Sequence, residues 1–141
     1  MAIMTDRTIY ITEFDRKRLK QFLQRTDIYQ HADKKNLVDL GRELDRATIV
    51  EPKDIPSTVV TMNSRVRFKD LESGEEVVYT IVFPEESDVA HGKISVVAPV
   101  GTALLGYKAG DIVQWTVPAG PRRFQIAEVI YQPEAAGHFH L

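Results

Sequence analysis

The 141-residue chain contains no cysteine. That excludes disulfides, thiolate zinc centres and cysteine nucleophiles. No apolar run approaches the roughly 20 residues that a membrane-spanning helix requires, and Met1-Ala-Ile-Met-Thr-Asp-Arg7 has no apolar leader core. The expectation is a soluble, cytoplasmic protein without a membrane partner. A charge excess is also missing. Lys and Arg total 18 against 20 Asp and Glu, a formal net charge of −2, so the overall field favours neither nucleic acid nor an anionic membrane surface. The one glycine-rich stretch, Gly101 to Gly110, lacks the spacing and the Lys-Ser/Thr ending of a phosphate-binding loop.

What the chain does have is apolar content, 43%, enough for one real core at this length. Its pattern changes near residue 50. Residues 1–50 hold 10 basic and 8 acidic side chains and residues 51–141 hold 8 and 12, leaving +2 and −4. After the extended Thr8-Ile-Tyr-Ile11, Thr12 followed three residues later by Asp15 predicts a helix N-cap, with Glu13 suited to the positive helix end. Phe14, Leu19, Phe22 and Leu23 then share one face, with Arg16, Lys17, Arg18, Lys20 and Arg25 around the rest. A second helix is predicted from about Asp33 to Ala47, with Leu37, Leu40, Leu44 and Ala47 at spacings of three and four. Arms of about 16 residues, roughly 24 Å long, joined near Thr26 to Ala32, make an antiparallel hairpin, which Gly41 weakens modestly.

Pro52 and Pro56 interrupt the helical pattern, so residues 51–58 read as a linker. Beyond it the period becomes two. Val66 and Phe68 alternate with Arg65, Arg67 and Lys69, and Glu72-Ser-Gly-Glu75 turns into the apolar run Val77 to Phe83. Lys93 to Val97 is another candidate strand. Val113, Trp115 and Val117 alternate in the next, and Pro118-Ala-Gly-Pro121 turns it into Phe124 to Tyr131. In that last run Phe124 and Ile126 fall out of register with Val129 and Tyr131, which predicts a bulge near Ala127 or two covered faces. Between these strands, Ala98 to Asp111 reads as strand exit, one helical turn, a Gly106 stop and a tight turn at Gly110-Asp111. The sum is α+β: residues 1–50 a short helical hairpin, 51–58 a linker, and 59–141 a small sheet with one short helix.

The hairpin followed by Val59-Val-Thr-Met-Asn-Ser-Arg-Val-Arg-Phe68, Tyr79-Thr-Ile-Val82, Gly92-Lys-Ile-Ser95, Ala98-Pro99, Ala103-Leu-Leu-Gly106 and Gly110-Asp111 resembles the bacterial Gre-type transcript cleavage factors. Within that superfamily, Val59 to Phe68, Ala98 to Gly106 and the tail Tyr131-Gln-Pro-Glu-Ala-Ala-Gly137 resemble most closely the family that regulates nucleoside diphosphate kinase. The resemblance implies an FKBP-like antiparallel sheet of the GreA/GreB C-terminal type. It also implies a non-enzymatic RNA polymerase-binding regulator at the secondary-channel entrance, competing with Gre-type factors and affecting nucleoside diphosphate kinase levels through transcription. Direct sequence-specific nucleic acid binding is not expected, nor is a cofactor or metal.

Ile94, Ser95 and Pro99 lie in the segment that resembles the polymerase-docking edge of Gre C-terminal domains, although Ala98 stands where serine usually precedes the proline. Gre factors present acidic residues at the tip of a much longer coiled coil. Here the tip offers Asp27 and Asp33, six residues apart across a loop, whereas a hard cation needs converging carboxylates. They are expected to be solvated acids, Asp33 capping the second helix, and transcript cleavage is not expected to be stimulated. The basic cluster Arg16, Lys17, Arg18 and Lys20 reads first as a solvated helix face and second as a contact for acidic polymerase surface. Two other readings stay open: weak Gre-like cleavage through Asp27 and Asp33, and prolyl isomerase activity in a pocket lined by Trp115 with Phe68, Tyr79, Phe83, Tyr107 and Phe124. A core role for most of these aromatics is expected instead. His31, His91, His138 and His140 are expected to be exposed loop and tail residues.

Overall fold

A computed structural model describes residues 9–25, 34–117, 120–139 and 141, with residues 115–117 described by their backbone alone. The first described element is a short strand, β1 (Tyr10–Thr12), which runs into α1 (Glu13–Leu23). The predicted cap is present: Asp15 donates its backbone N–H to Thr12 Oγ1 at 3.0 Å. α2 (Lys34–Arg46) follows and leads directly into β2 (Thr48–Val50), which pairs in parallel with β1, Tyr10 opposite Thr48. The two helices are antiparallel neighbours, since Lys20 pairs with Asp45 while Leu23 reaches Gly41. Their described lengths are 11 and 13 residues, and α2 ends one residue short of the predicted Ala47.

A five-stranded sheet occupies the rest, in the order β5-β4-β3-β7-β6, with β3 (Arg65–Asp70), β4 (Glu76–Val82), β5 (Lys93–Ser95), β6 (Ile112–Val117) and β7 (Gly120–Tyr131). The fold is α+β as the periods predict, but the sheet is mixed. β5 runs parallel to β4, with Thr80 opposite Lys93. The connection 83–92, through two 3-10 turns, brings the chain back alongside the last three residues of β4, and a strand entered after such a return must be parallel. The bulge near Ala127 is present: Phe68 faces Ile126 and Arg67 faces Glu128, leaving Ala127 without an opposite number. A second irregularity at Ile130 separates the pairs Val66–Val129 and Arg65–Tyr131. α3 (Pro99–Leu104) is the predicted single helical turn, begun at Pro99 because proline's fixed φ and missing N–H suit the first helical position.

One core serves both halves. Leu19, Phe22, Leu37, Leu40 and Leu44 from the helices are buried in the same cluster as Met62, Val66, Phe68, Ile81, Leu104 and Tyr107. Phe14 departs from its predicted place: it is 37% exposed, with the Arg18 guanidinium 4.2 Å from its ring centroid. Its neighbour Asp15 takes the inward position instead, accepting the Met62 N–H. No described helix is long and apolar enough to cross a membrane.

Gly41 lies mid-helix with only Leu23 Cδ1, at 3.9 Å, near the place a Cβ would take. Gly41→Ala is therefore expected to stabilise the protein by about 0.5–1 kcal/mol by lowering unfolded-chain entropy, read as a higher urea midpoint at unchanged m.

Candidate docking edge and the arm joint

The segment Ala98 to Asp111 is where the chain's distant parts meet. Leaving β5, Ala98 donates its N–H to the Ser95 carbonyl, Val97 donates to Ser95 Oγ at 3.2 Å, and Thr102 Oγ1 donates back to the Val96 carbonyl at 2.7 Å. α3 is thereby pressed onto the end of β5. A Cβ on Gly101 would lie 2.3 Å from the Ser95 carbonyl oxygen, so only glycine fits there. Ile94 and Ser95, half-buried on the sheet's edge strand, and Pro99, exposed at the start of α3, thus share one corner of the sheet. Of that edge, Lys93 is already paired with the Asp88 backbone.

At its other end the segment grips the helical arm. Gly106, at φ +86°, donates its N–H to the Val60 carbonyl at 2.9 Å, and its carbonyl accepts from Tyr10 N–H of β1 at 3.1 Å. Any Cβ there would crowd Ile9 at 3.0 Å. Tyr107, fully buried, donates its hydroxyl proton to Glu43 Oε1 at 3.1 Å and accepts from Arg46 at 2.9 Å, tying α2 to the same turn. Burial first, and the Glu43 carboxylate second, push the Tyr107 phenol up to about 12, so it stays a neutral donor.

A second tie holds α1. Asp15, 1% exposed, accepts the Met62 backbone N–H at 3.0 Å and is paired with Arg18. The Arg18 guanidinium lies between the rings of Phe14 and Phe83, and Phe22 meets Phe83 edge-on at 5.9 Å. Beside this joint Glu134 of the tail accepts from Thr61 Oγ1 at 2.8 Å. Burial raises the Asp15 carboxyl above its ordinary range, against the pull of Arg18 and the Met62 N–H. Burial also raises Glu134, helped by the negative charge of Asp15.

The expected site residues are therefore only partly assembled. Ile94 packs against the core from the edge strand, Ser95 ends that strand half-buried, and Pro99 stands exposed at the start of α3. Asp27 and Asp33 of the hairpin tip, the predicted Thr26 to Ala32 connection, His31 and His140 lie outside the described residues, as does the Trp115 side chain. Phe68 and Tyr107 are core residues, and Tyr79, Phe83 and Phe124 pack against that core. His91 pairs with Asp88 and His138 with Tyr131, each at 2.6 Å. Among the described residues no group of three or more His, Asp or Glu is placed to hold a metal ion. The basic cluster splits: Arg16 and Lys17 are exposed, whereas Arg18 is committed to Asp15 and Lys20 to Asp45. Residues the sequence did not single out are Glu43, Gly101, Glu134 and the Met62 N–H. Asp15 carried a signal, its capping position, but none of its burial.

Gly101→Ala, in contrast to Gly41→Ala, is expected to cost about 1–3 kcal/mol through overpacking against backbone, seen as a lower urea midpoint. The joint predicts an unusual pH profile. Folding raises the proton affinity of Asp15 and Glu134, so the native state binds more protons than the unfolded chain. Their contribution to stability then rises as pH falls from neutrality through the raised values towards the ordinary 3.8 and 4.5. Asp70, which burial alone would raise but which the Glu72 and Ser73 N–H groups and Arg122 hold low, acts oppositely and only below 3.8. Asp15→Asn, which cannot ionise yet keeps an acceptor for Met62, is expected to reduce the rise in urea midpoint as pH falls from neutrality, leaving the part due to Glu134. A profile parallel to wild type would assign the slope elsewhere. Asp15→Ala, leaving Met62 N–H unsatisfied, is expected to cost about 1–3 kcal/mol.

Comparison with known proteins agrees with this architecture. Residues 55–131 match the model described as the C-terminal part of transcription elongation factor GreA/GreB, and residues 7–50 match the model described as the Rnk N-terminus. The regulator of nucleoside diphosphate kinase of Escherichia coli (strain K12) is 40% identical over 139 residues, 98% of this chain and 100% of that protein. Transcription elongation factor GreA of Clostridium beijerinckii is 44% identical over 90 residues, 64% of this chain and 56% of that longer protein. A solved structure of the GreA/GreB elongation factor from Nitrosomonas europaea superposes with a TM-score of 0.72 at 42% identity, covering 89% of this chain and 100% of that one. These relatives are named as regulators and transcription factors, not as enzymes. With one core joining a helical part of the first kind to a sheet of the second, the chain belongs to the family of the regulator of nucleoside diphosphate kinase, a Gre-related group of transcription factors and regulators.

Proposed function

We propose that the protein is a non-enzymatic RNA polymerase-binding regulator that occupies the secondary-channel entrance, competes with Gre-type factors there, and stimulates no transcript cleavage. The sheet unit, residues 59–141, is the docking part; residues 1–50 are the arm and 51–58 its linker. Ile94, Ser95 and Pro99 make the contact at the corner of β5 and α3. Any influence on nucleoside diphosphate kinase levels is exerted through transcription, in the cytoplasm.

The observation that carries the reading is the use of the arm. Gre-type cleavage depends on a long coiled coil that projects acids into the polymerase active site. Among the described residues α1 and α2 have 11 and 13 residues, about 16 and 20 Å, and their apolar faces are spent in the core they share with the sheet. Such an arm blocks an entrance without reaching far beyond it. The corner at Pro99 stays exposed beside an edge strand, open to a partner.

Core polymerase is expected to retain the protein in a pull-down, and a Gre-type factor to displace it. Backtracked complexes should keep their RNA uncut when the protein and magnesium are added. Pro99→Glu, at an exposed position, is expected to weaken retention by about tenfold or more, the loss of roughly 1.4 kcal/mol, with an unchanged urea midpoint. Failure to bind, or magnesium-dependent shortening of the RNA, defeats the reading.

A further inference from the structure

The core-facing side of the sheet carries Val66, Phe68 and Ile126; its other side is open. Strand pairing fixes which residues share that open side. Lys93 stands beside Thr80, Thr80 opposite Arg65, and Arg65 opposite Tyr131, forming one row across four strands. Lys69 stands four residues along β3 from Arg65, about 13 Å away, and two strands put Lys93 about 10 Å from Arg65. Two carboxylates on these strands face the same way, Glu76 and Glu128, and Arg67 pairs with both, at 3.2 and 3.1 Å. Arg65, Lys69 and Lys93 are exposed and form no ion pair with a described residue. The net charge of −2 is thus unevenly laid out: the open sheet face carries Arg65, Arg67, Lys69 and Lys93 against the two carboxylates Glu76 and Glu128, an excess of two positive charges on these strands.

We propose that this face binds the phosphate backbone of single-stranded nucleic acid, without regard to sequence. Cations spaced about 10–13 Å apart suit a flexible chain of phosphates, and hydroxyl and amide side chains, Thr80, Tyr131 and Gln125, stand between or beside them as further donors. Tyr131 is linked to His138 at the end of the row, their rings 5.9 Å apart, so one edge of the face ends in stacking surface for a base. An acidic protein fits less well. Protein interfaces centre on a desolvated apolar cluster, whereas Ile130 alone is an exposed large hydrophobe on these strands. The site adjoins the docking corner at Lys93, on the same strand as Ile94 and Ser95, but its test needs no polymerase, so it and the test of the proposed function fail independently.

The test is fluorescence anisotropy of the full chain with a 5′-labelled 20-nucleotide oligouridylate. Wild type is expected to bind about 10- to 20-fold more weakly at 200 than at 50 mM KCl, the fall that about three phosphate contacts produce on a single strand. The triple variant Arg65→Ala, Lys69→Ala, Lys93→Ala is expected to lose at least tenfold in affinity at 50 mM KCl and most of the salt dependence. A control with the same charge removed from the arm, Arg16→Ala, Lys17→Ala, Lys34→Ala, should change affinity less than twofold. All substituted positions are exposed, so unchanged thermal melting of both variants is expected to accompany these results. The proposal is overturned if wild type shows no salt-sensitive binding, if both triple variants weaken it equally, or if a 20-residue polyglutamate displaces the probe as well as unlabelled oligouridylate does.

Discussion

Two short helices cannot enclose a core, and most of this structure follows from that constraint. The described helices, of 11 and 13 residues, each present one apolar stripe, and among the described residues the sheet unit covers both. Leu19, Phe22, Leu37, Leu40 and Leu44 are therefore buried among sheet residues. Close packing of this kind draws polar groups inside with the apolar ones, and each needs a partner. Asp15 meets Met62 N–H and Arg18; Tyr107 meets Glu43 and Arg46. These bonds prescribe the angle at which the arm leaves the sheet, something apolar contact alone does not do, because the hydrophobic effect is non-directional.

The same constraint explains the crowding around Ala98 to Asp111. The arm arrives through β1 on one side of this segment, and the sheet's edge strand leaves from the other. Room for both exists only because Gly101 and Gly106 carry no side chain. The corner formed by Ile94, Ser95 and Pro99 is tied on one side by the bond from Thr102 of α3 to the Val96 carbonyl and on the other by the β4–β5 pairing. A surface preorganised in this way loses little conformational entropy when a partner settles on it. Arm and corner are coupled through a single turn of chain, so the geometry of one is inherited by the other.

Much of the local structure was legible. The Thr12 cap, the two helices, the strand alternation from Arg65, the Gly106 stop and the bulge at Ala127 were all written in residue spacing, because each depends on neighbours within a few positions. What misled was local evidence applied to distant contacts. Phe14 has the spacing of a core residue but stands exposed against the Arg18 guanidinium, while its neighbour Asp15 is buried against Met62. Arg18 has the spacing of a solvated lysine-like position but is trapped between two rings, one of them contributed by Phe83. Thr48–Val50 falls by its position within the predicted helical hairpin of residues 1–50 but is a strand, since a three-residue parallel partner for β1 has no periodic signature of its own. Net charge is an average, and it hid an open sheet face whose cations are separated in sequence by as many as 28 positions.

The amino-acid sequence by itself determined the α+β class, the kind and order of most elements, the family resemblance, and the exclusion of thiol chemistry. Those follow from residue type and from spacing over three, four or two positions. Only the tertiary structure decided that helices and sheet share a core, that Asp15 and Glu134 are held in a partly desolvated joint, that Gly101 is sterically required, and which charges stand together on the open face. The physical reason is that burial and electrostatic neighbourhood depend on which remote segments pack against one another. No periodicity along the chain records that pairing.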